Sequence, residues 1–296
     1  MMSGGLAPRF LSYKNKRTCM KCLVTGATGF IGSALCLELA ARGVALEQTG
    51  REAPQDSQLE GAHILFHTAG IAHRGASADD YESATFDTTL ALAERASAAG
   101  VSRFVFLSTV NAGPDAQPYG YWKWRTEETL RSTYESTPME VVSVRPALVY
   151  GPGAKANLEL LMGAVRRGLP TPPPGAPRSM IGLPDLCDVL CLLVDIDPGR
   201  GRVLIATDGQ AYDLQRMHRA FAVAMGRPIG RAWLPLWSWR LACGILDILR
   251  RRSVGGTFEQ LFGGSEQSNQ ELCRALSWQP RQQLEDLAVA MVEARG

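Results

Sequence analysis

The stretch MKCLVTGATGFIGSALCLELAARG, Met20 to Gly43, decides the fold. It opens with a short apolar run, turns through several glycines, and then spaces apolar residues at helical intervals as far as Gly43. That is strand, loop and helix. Further runs suited to buried parallel strands follow in AHILFHTAG (62–70), SRFVFLSTV (102–110) and MEVVSVRPALVYG (139–151), and helical patterns precede the last two. Alternation of this kind predicts an α/β protein with a doubly wound parallel sheet. After Gly151 the texture changes: LPTPPPGAPRS (169–179) is a proline-rich loop, and the remainder is mostly helical with brief strands such as GRVLIAT (201–207). The expected organisation is a flexible extension over 1–19, a dinucleotide-binding domain over 20–155 and 186–206, and a smaller substrate lobe over 156–185 and 207–296.

The rest of the composition narrows the function classes. The chain has 296 residues, 46% hydrophobic and 20% charged, so it can bury a substantial core, and its net charge of +2 gives no field that would gather nucleic acid. A small molecule is the better partner. The seven cysteines lack the dense even spacing of a secreted disulfide framework, which points to a reducing cytoplasm. Cys19 and Cys22 have metal-ligand spacing, but no second pair follows and zinc needs four ligands, so no metal is expected. The first eighteen residues lack the apolar segment of an export signal. WLPLWSWRLACGILDIL, Trp233 to Leu249, is interrupted by Pro235, Arg240 and Asp247 well short of a membrane span. An amphipathic helix capping a pocket is the favoured reading, with a membrane contact unlikely.

Two features carry chemistry. In TGATGFIG the glycines Gly26, Gly29 and Gly32 stand between the first strand and the first helix. A helix starting there aims its free N–H groups and positive dipole end at a pyrophosphate, and missing side chains let the backbone approach it. Further along, PYGYWKWRTEETL places Tyr119 and Lys123 four residues apart on one helix face. A cation at Lys123 is expected to favour the Tyr119 phenolate and bring its pKa of about 10 closer to neutrality, giving a general acid/base.

Taken in order, VTGATGFIG, LFHTAG, FVFLSTV, Tyr119-x-x-x-Lys123, VRPALVYGPG and RSMIGLPDLCDVL resemble the extended short-chain dehydrogenase/reductases, and among them the nucleotide-sugar epimerases, dehydratases and 4-ketoreductases. The likeness spans roughly Met20 to Leu190 and continues more weakly to ELCRALSWQP. It implies a Rossmann-type fold and hydride transfer between a nicotinamide and a nucleoside-diphosphate sugar, a UDP-sugar by preference and at C4, as ketoreductase or epimerase. In that group Tyr119 would move the proton, Lys123 would also bind the nicotinamide ribose, and Thr109, with Ser108 as alternate, would hydrogen-bond the reacting oxygen. Cofactor contacts would come from Gly26, Thr28, Gly29, Phe30, Ile31, Gly32, His67, Ala69 and Pro146, with His67 read as packing and loop support and not as a base. Asn157 and Arg178 would contact the diphosphate, Arg178 alternatively pairing with Asp185 or Asp188. Many relatives also form homodimers through the helices that here are 79–100 and the one bearing Tyr119.

Arg51 falls where relatives place the residue that selects NAD or NADP, so NADP(H) is slightly favoured. The segment from Gly50 to Ala62 is only thirteen residues long, too short for the strand and crossover usual there. The third strand of the usual sheet is therefore expected to be absent or vestigial, leaving the second near an edge. Thr85 and Thr88 stand where relatives carry Asn and Gly, which removes one hydrogen bond beside the active-site loop. Two other classes stay open: a non-catalytic nucleotide-binding regulator of the same fold, and a reductase of a carbonyl compound without a diphosphate.

Overall fold

A computed structural model describes residues 20–50, 52–70, 78–155, 157–249 and 256–294. The chain alternates as the apolar runs require: β1 (Lys21–Thr25), α1 (Phe30–Ala41), β2 (Ala45–Thr49), a single-turn α2 (Asp56–Leu59) and β3 (Ile64–His67). Next come α3 (Ala78–Tyr81), which runs through a π-helical turn (Glu82–Asp87) into α4 (Thr88–Ala98), then β4 (Arg103–Leu107), α5 (Pro118–Tyr134), β5 (Glu140–Pro146) and β6 (Leu148–Tyr150). The remainder comprises α6 (Asn157–Arg166), β7 (Arg178–Gly182), α7 (Leu183–Asp195), β8 (Val203–Ala206), β9 (Ala211–Tyr212), α8 (Leu214–Ala224), α9 (Leu236–Leu249), α10 (Gly256–Phe262), α11 (Gln270–Leu276) and α12 (Leu284–Glu293).

Six strands make one sheet in the order β2-β1-β3-β4-β5-β8, and β1 pairs in parallel with both β2 and β3. The chain runs outward from β1 to β2 and returns to β3 on the other side, so the order reverses between β1 and β3. Open α/β sheets bind ligands at the carboxyl ends of such a reversal. No strand intervenes between β2 and β3 among the described residues; the single turn α2 fills the thirteen-residue interval and leaves β2 at the edge, with none of its residues fully buried. The short interval thus had the consequence expected of it.

Register explains the core. Leu23, Leu65, Phe104 and Val141 sit opposite one another on β1, β3, β4 and β5 and form a row across one face. Leu92 and Ala96 of α4 and Leu130 and Tyr134 of α5 pack into the same cluster. This anchors α5, the helix of the tyrosine–lysine pair, against the sheet.

The chain divides into two compact units, one of residues up to Val144 with Cys187–Val203, the other of Arg145–Leu186 with Leu204 onward. The divisions fall after 144, 186 and 203, where the sequence-based boundaries were set after 155, 185 and 206. The second unit contains a small sheet ordered β6-β7-β9. Its core holds Asp208, whose Oδ2 accepts hydrogen bonds from the hydroxyls of Tyr150 at 2.8 Å and Tyr212 at 2.7 Å. No described helix is long and apolar enough to cross a membrane.

Candidate active site

The loop after β1 closes tightly because two of its glycines leave no room for anything else. Gly26 has φ +75°, and a Cβ there would fall 2.6 Å from the Ala69 nitrogen at the end of β3. A Cβ on Gly32 would fall 2.2 Å from the Gly26 carbonyl oxygen and 2.7 Å from Thr68 Oγ1, so the first turn of α1 lies directly on the loop. Gly29 is the N-cap of α1 and supplies no side-chain hydrogen bond to the helix end. The first-turn N–H groups of α1 are therefore not taken up by a capping side chain, next to exposed Thr28 and Gly29 and half-buried Phe30 and Ile31. Gly50, beyond β2, packs on Thr28, with a Cβ position 3.3 Å from its methyl group. Arg51, the predicted selector between NAD and NADP, lies outside the described residues, as does His73.

The tyrosine–lysine pair sits at the start of α5, where Pro118 occupies the first turn and Gln117 is the extended N-cap. Gly120 lets the helix press on the loop after β4: a Cβ there would stand 2.2 Å from the Asn111 carbonyl oxygen. That approach fixes the first turn of α5, which carries Tyr119, on the loop after Ser108 and Thr109, and nothing in the Tyr-x-x-x-Lys spacing announced it. Thr109 is buried and its Oγ1 accepts from Asn111 N at 3.3 Å. Ser108 Oγ is buried with no partner among the described residues. A buried hydroxyl without a partner carries a cost that a ligand oxygen relieves.

Lys123 is almost fully buried, donates to the Leu107 carbonyl at 2.8 Å and lies 4.4 Å from the centre of the Phe106 ring. Burial lowers its pKa to about 8, partly offset by the Glu127 carboxylate one turn on. Tyr119 behaves otherwise than its spacing from Lys123 suggests. Its ring packs edge-on to Tyr81 at 5.8 Å, and burial, reinforced by Tyr81, pushes its pKa up to about 12. The expected depression toward neutrality is absent because burial against Tyr81 disfavours the phenolate, and the Lys123 ammonium is engaged with the Leu107 carbonyl, so Tyr119 rests with its proton on.

His67 also needs restating. It is 3% exposed, with Nδ1 2.7 Å from Thr25 Oγ1 and Nε2 3.1 Å from Thr89 Oγ1. Burial, with the Lys123 charge behind it, lowers its pKa to about 3, so the ring is neutral. Both nitrogens being occupied, the ring offers a cofactor no hydrogen bond; it ties β1 and β3 to α4, the support role. Ala69 and Gly70 follow it, and a Cβ on Gly70 would lie 3.4 Å from Lys123 Nζ. Thr85, in the π-helical turn, is buried with its Oγ1 unpartnered among the described residues. Thr25, Thr89, Tyr81, Phe106 and Gly120 are the site residues that sequence reasoning missed.

Pro146 is buried at the end of β5. In the second unit, Asn157 begins α6 half-buried. Arg178 opens β7 and its Nη2 donates to the carbonyls of Leu261 and Gly263, bonds that close the chain after α10 onto the strand. Asp185 accepts from the backbone of Arg281 and Gln282, and Asp188 pairs with Arg42 at 2.6 Å.

The family model for the NAD dependent epimerase/dehydratase family matches residues 22–172. The chain is 27% identical to the UDP-glucose 4-epimerase of Vibrio cholerae over 89% of its length and 92% of that protein. It is 29% identical to the UDP-2-acetamido-2,6-beta-L-arabino-hexul-4-ose reductase of Pseudomonas aeruginosa over 47% of this chain and 38% of that one. Among solved structures, the UDP-glucuronic acid 4-epimerase of Bacillus cereus in complex with NAD superposes with a TM-score of 0.75 at 16% identity, covering 93% of this chain and 98% of that one. That likeness is one of fold.

Proposed function

This chain belongs to the NAD-dependent epimerase/dehydratase family, and from that membership we propose that it transfers hydride between NAD(P) and C4 of a nucleoside-diphosphate sugar, as a 4-ketoreductase or 4-epimerase. The observation that carries the reading is the buried Lys123, one helical turn from Tyr119, donating to the Leu107 carbonyl next to the Ser108 hydroxyl, which is buried and unpartnered among the described residues.

The residues fit a dinucleotide. The Gly26–Gly29–Gly32 cradle, which any Cβ at Gly26 or Gly32 would fill, and the uncapped start of α1 would hold its pyrophosphate, and Lys123 its nicotinamide ribose. When bound, the nicotinamide supplies or accepts the hydride. The protein's own part is to hold the sugar oxygen and move its proton. Ser108 Oγ or Thr109 Oγ1 orients that oxygen. Tyr119, protonated at neutral pH, donates its Oη proton to the oxygen of a C4 ketone as that carbon is reduced. The phenolate left behind lies one helical turn from Lys123, whose pKa burial lowers to about 8. A tyrosine that rests protonated suits reduction better than oxidation.

Arg51 supports NADP(H) over NAD(H), since a guanidinium after the second strand accommodates the 2′-phosphate. Asn157 and Arg178 are assigned to the diphosphate of a UDP-sugar on the resemblance, with the Arg178 guanidinium steadied by the Leu261 and Gly263 carbonyls. The free cysteines, buried for the most part, support a cytoplasmic location. A homodimer through α4 and α5 follows the same family pattern.

Fluorescence titration with NADPH and NADH, then addition of a UDP-4-keto-6-deoxy sugar, tests the reading. Tight NADPH binding followed by its oxidation supports the reductase. Binding of neither cofactor moves the non-catalytic reading ahead, and cofactor binding with no response to any UDP-sugar, together with unchanged sugar binding in Arg178→Ala, favours a carbonyl substrate without a diphosphate.

A further inference from the structure

Helix α9 is apolar on two sides, and among the described residues only one of them is covered. Trp239 and Cys243 are buried, as is Asp247, which accepts hydrogen bonds from the backbone N–H and hydroxyl of Thr257 on α10. On the other side Trp237 is 68% exposed, Leu241 60%, Ile245 51% and Ile248 66%. Positions 237, 241, 245 and 248 fall within about 80° of one another around a helix of 3.6 residues per turn. They form one stripe, extended at its amino end by Trp233, 73% exposed, and Leu236. The Trp239 side packs on Phe262 of α10, and the stripe stays exposed. Contiguous exposed apolar surface of this kind marks a docking site.

Charge identifies what docks. Arg231 and Arg240 are exposed and flank the stripe in sequence, and between residues 225 and 249 the one acid is Asp247, which is fully buried. The exposed acid nearest in sequence is Glu259, on α10. A second copy docking by the same face would set these arginines against their own counterparts with no carboxylate from the helix to pair them, because a two-fold interface joins a patch to itself. An anionic lipid surface meets both halves of the pattern. Leucine and isoleucine enter the acyl boundary, tryptophan rings sit at the headgroup level, and guanidinium groups pair with phosphates. We propose that α9 with the Trp233–Pro235 approach is a peripheral anchor that lays this protein on an anionic bilayer.

The test is co-sedimentation of the whole protein with vesicles of phosphatidylcholine, and of phosphatidylcholine mixed with phosphatidylglycerol. The intact protein pellets with the anionic vesicles, less so as salt rises. Replacing Trp237, Leu241, Ile245 and Ile248 with serine weakens this by about a hundredfold or more, while the circular-dichroism melt stays put because the residues are exposed. Arg231→Gln with Arg240→Gln weakens binding to anionic vesicles only. No pelleting with anionic vesicles overturns the proposal. So does self-association of the intact protein that the serine variant abolishes, which would make a second copy the occupant.

Discussion

Gly26 and Gly43 offer a matched comparison that isolates what the glycine loop does. Their φ angles are +75° and +74°, so alanine at either position meets the same left-handed strain, about 1–2 kcal/mol. They differ in surroundings. A Cβ at Gly43 meets nothing within 4 Å, whereas at Gly26 it falls 2.6 Å from the Ala69 nitrogen, 2.7 Å from its Cα and 2.9 Å from the Thr68 carbonyl carbon. All three are backbone atoms, so relief requires β1 and β3 to part at their ends, an overpacking cost of about 1–3 kcal/mol beyond the strain. At about 2–4 °C per kcal/mol for a domain of this size, Gly43→Ala lowers the melting midpoint by about 2–8 °C and Gly26→Ala by about a further 2–12 °C. The same parting spoils the alignment of the loop with a pyrophosphate. NADPH affinity, read by fluorescence titration, should fall roughly tenfold or more in Gly26→Ala, each 1.4 kcal/mol being a factor of ten, and stay unchanged in Gly43→Ala. Equal midpoints and equal cofactor affinities in the two variants would refute the assignment of this loop as the cradle.

Three further outcomes follow from single contacts. Because His67 titrates near 3 in the folded protein and near 6.5 when unfolded, the unfolded chain binds more protons between those values. The melting midpoint should therefore fall as pH drops from 6.5 toward 3, and His67→Gln should flatten that part of the profile. Leu130→Ala, at a fully buried position between α5 and the sheet, should cost about 2–5 kcal/mol in urea unfolding. Gly120→Ala reverses the usual gain from replacing a helical glycine: with its Cβ 2.2 Å from the Asn111 oxygen it should destabilise by about 1–3 kcal/mol and lower kcat more than it alters cofactor affinity.

What was legible in the sequence was whatever depends on local pattern. Apolar runs announced β1, β3, β4 and β5, the glycine spacing announced the turn before α1, and a count of thirteen residues announced the missing strand. Contacts between distant segments were not legible. Thr25 and Thr89 close on His67 from 42 and 22 residues away, and Gly120 is needed only because the Asn111 carbonyl lies over it. The four-residue spacing placed Tyr119 and Lys123 on one face without showing that Tyr119 is buried against Tyr81 or that the Leu107 carbonyl takes the amine, and so the direction of the Tyr119 shift came out reversed. The sequence reads α9 as one amphipathic helix; that Trp239 and Cys243 are covered while Trp237, Leu241, Ile245 and Ile248 stay exposed depends on contacts with other segments.

The most direct test of the account is the rate at which NADPH is oxidised by a UDP-4-keto-6-deoxy sugar, followed by nicotinamide absorbance in the wild type and in Tyr119→Phe. Loss of the Tyr119 hydroxyl should slow oxidation by about 10²–10⁴-fold, the range for a general acid, with NADPH affinity unchanged. Oxidation at the wild-type rate in Tyr119→Phe would contradict the assignment of the proton to this residue, and with it the chemistry proposed for the site.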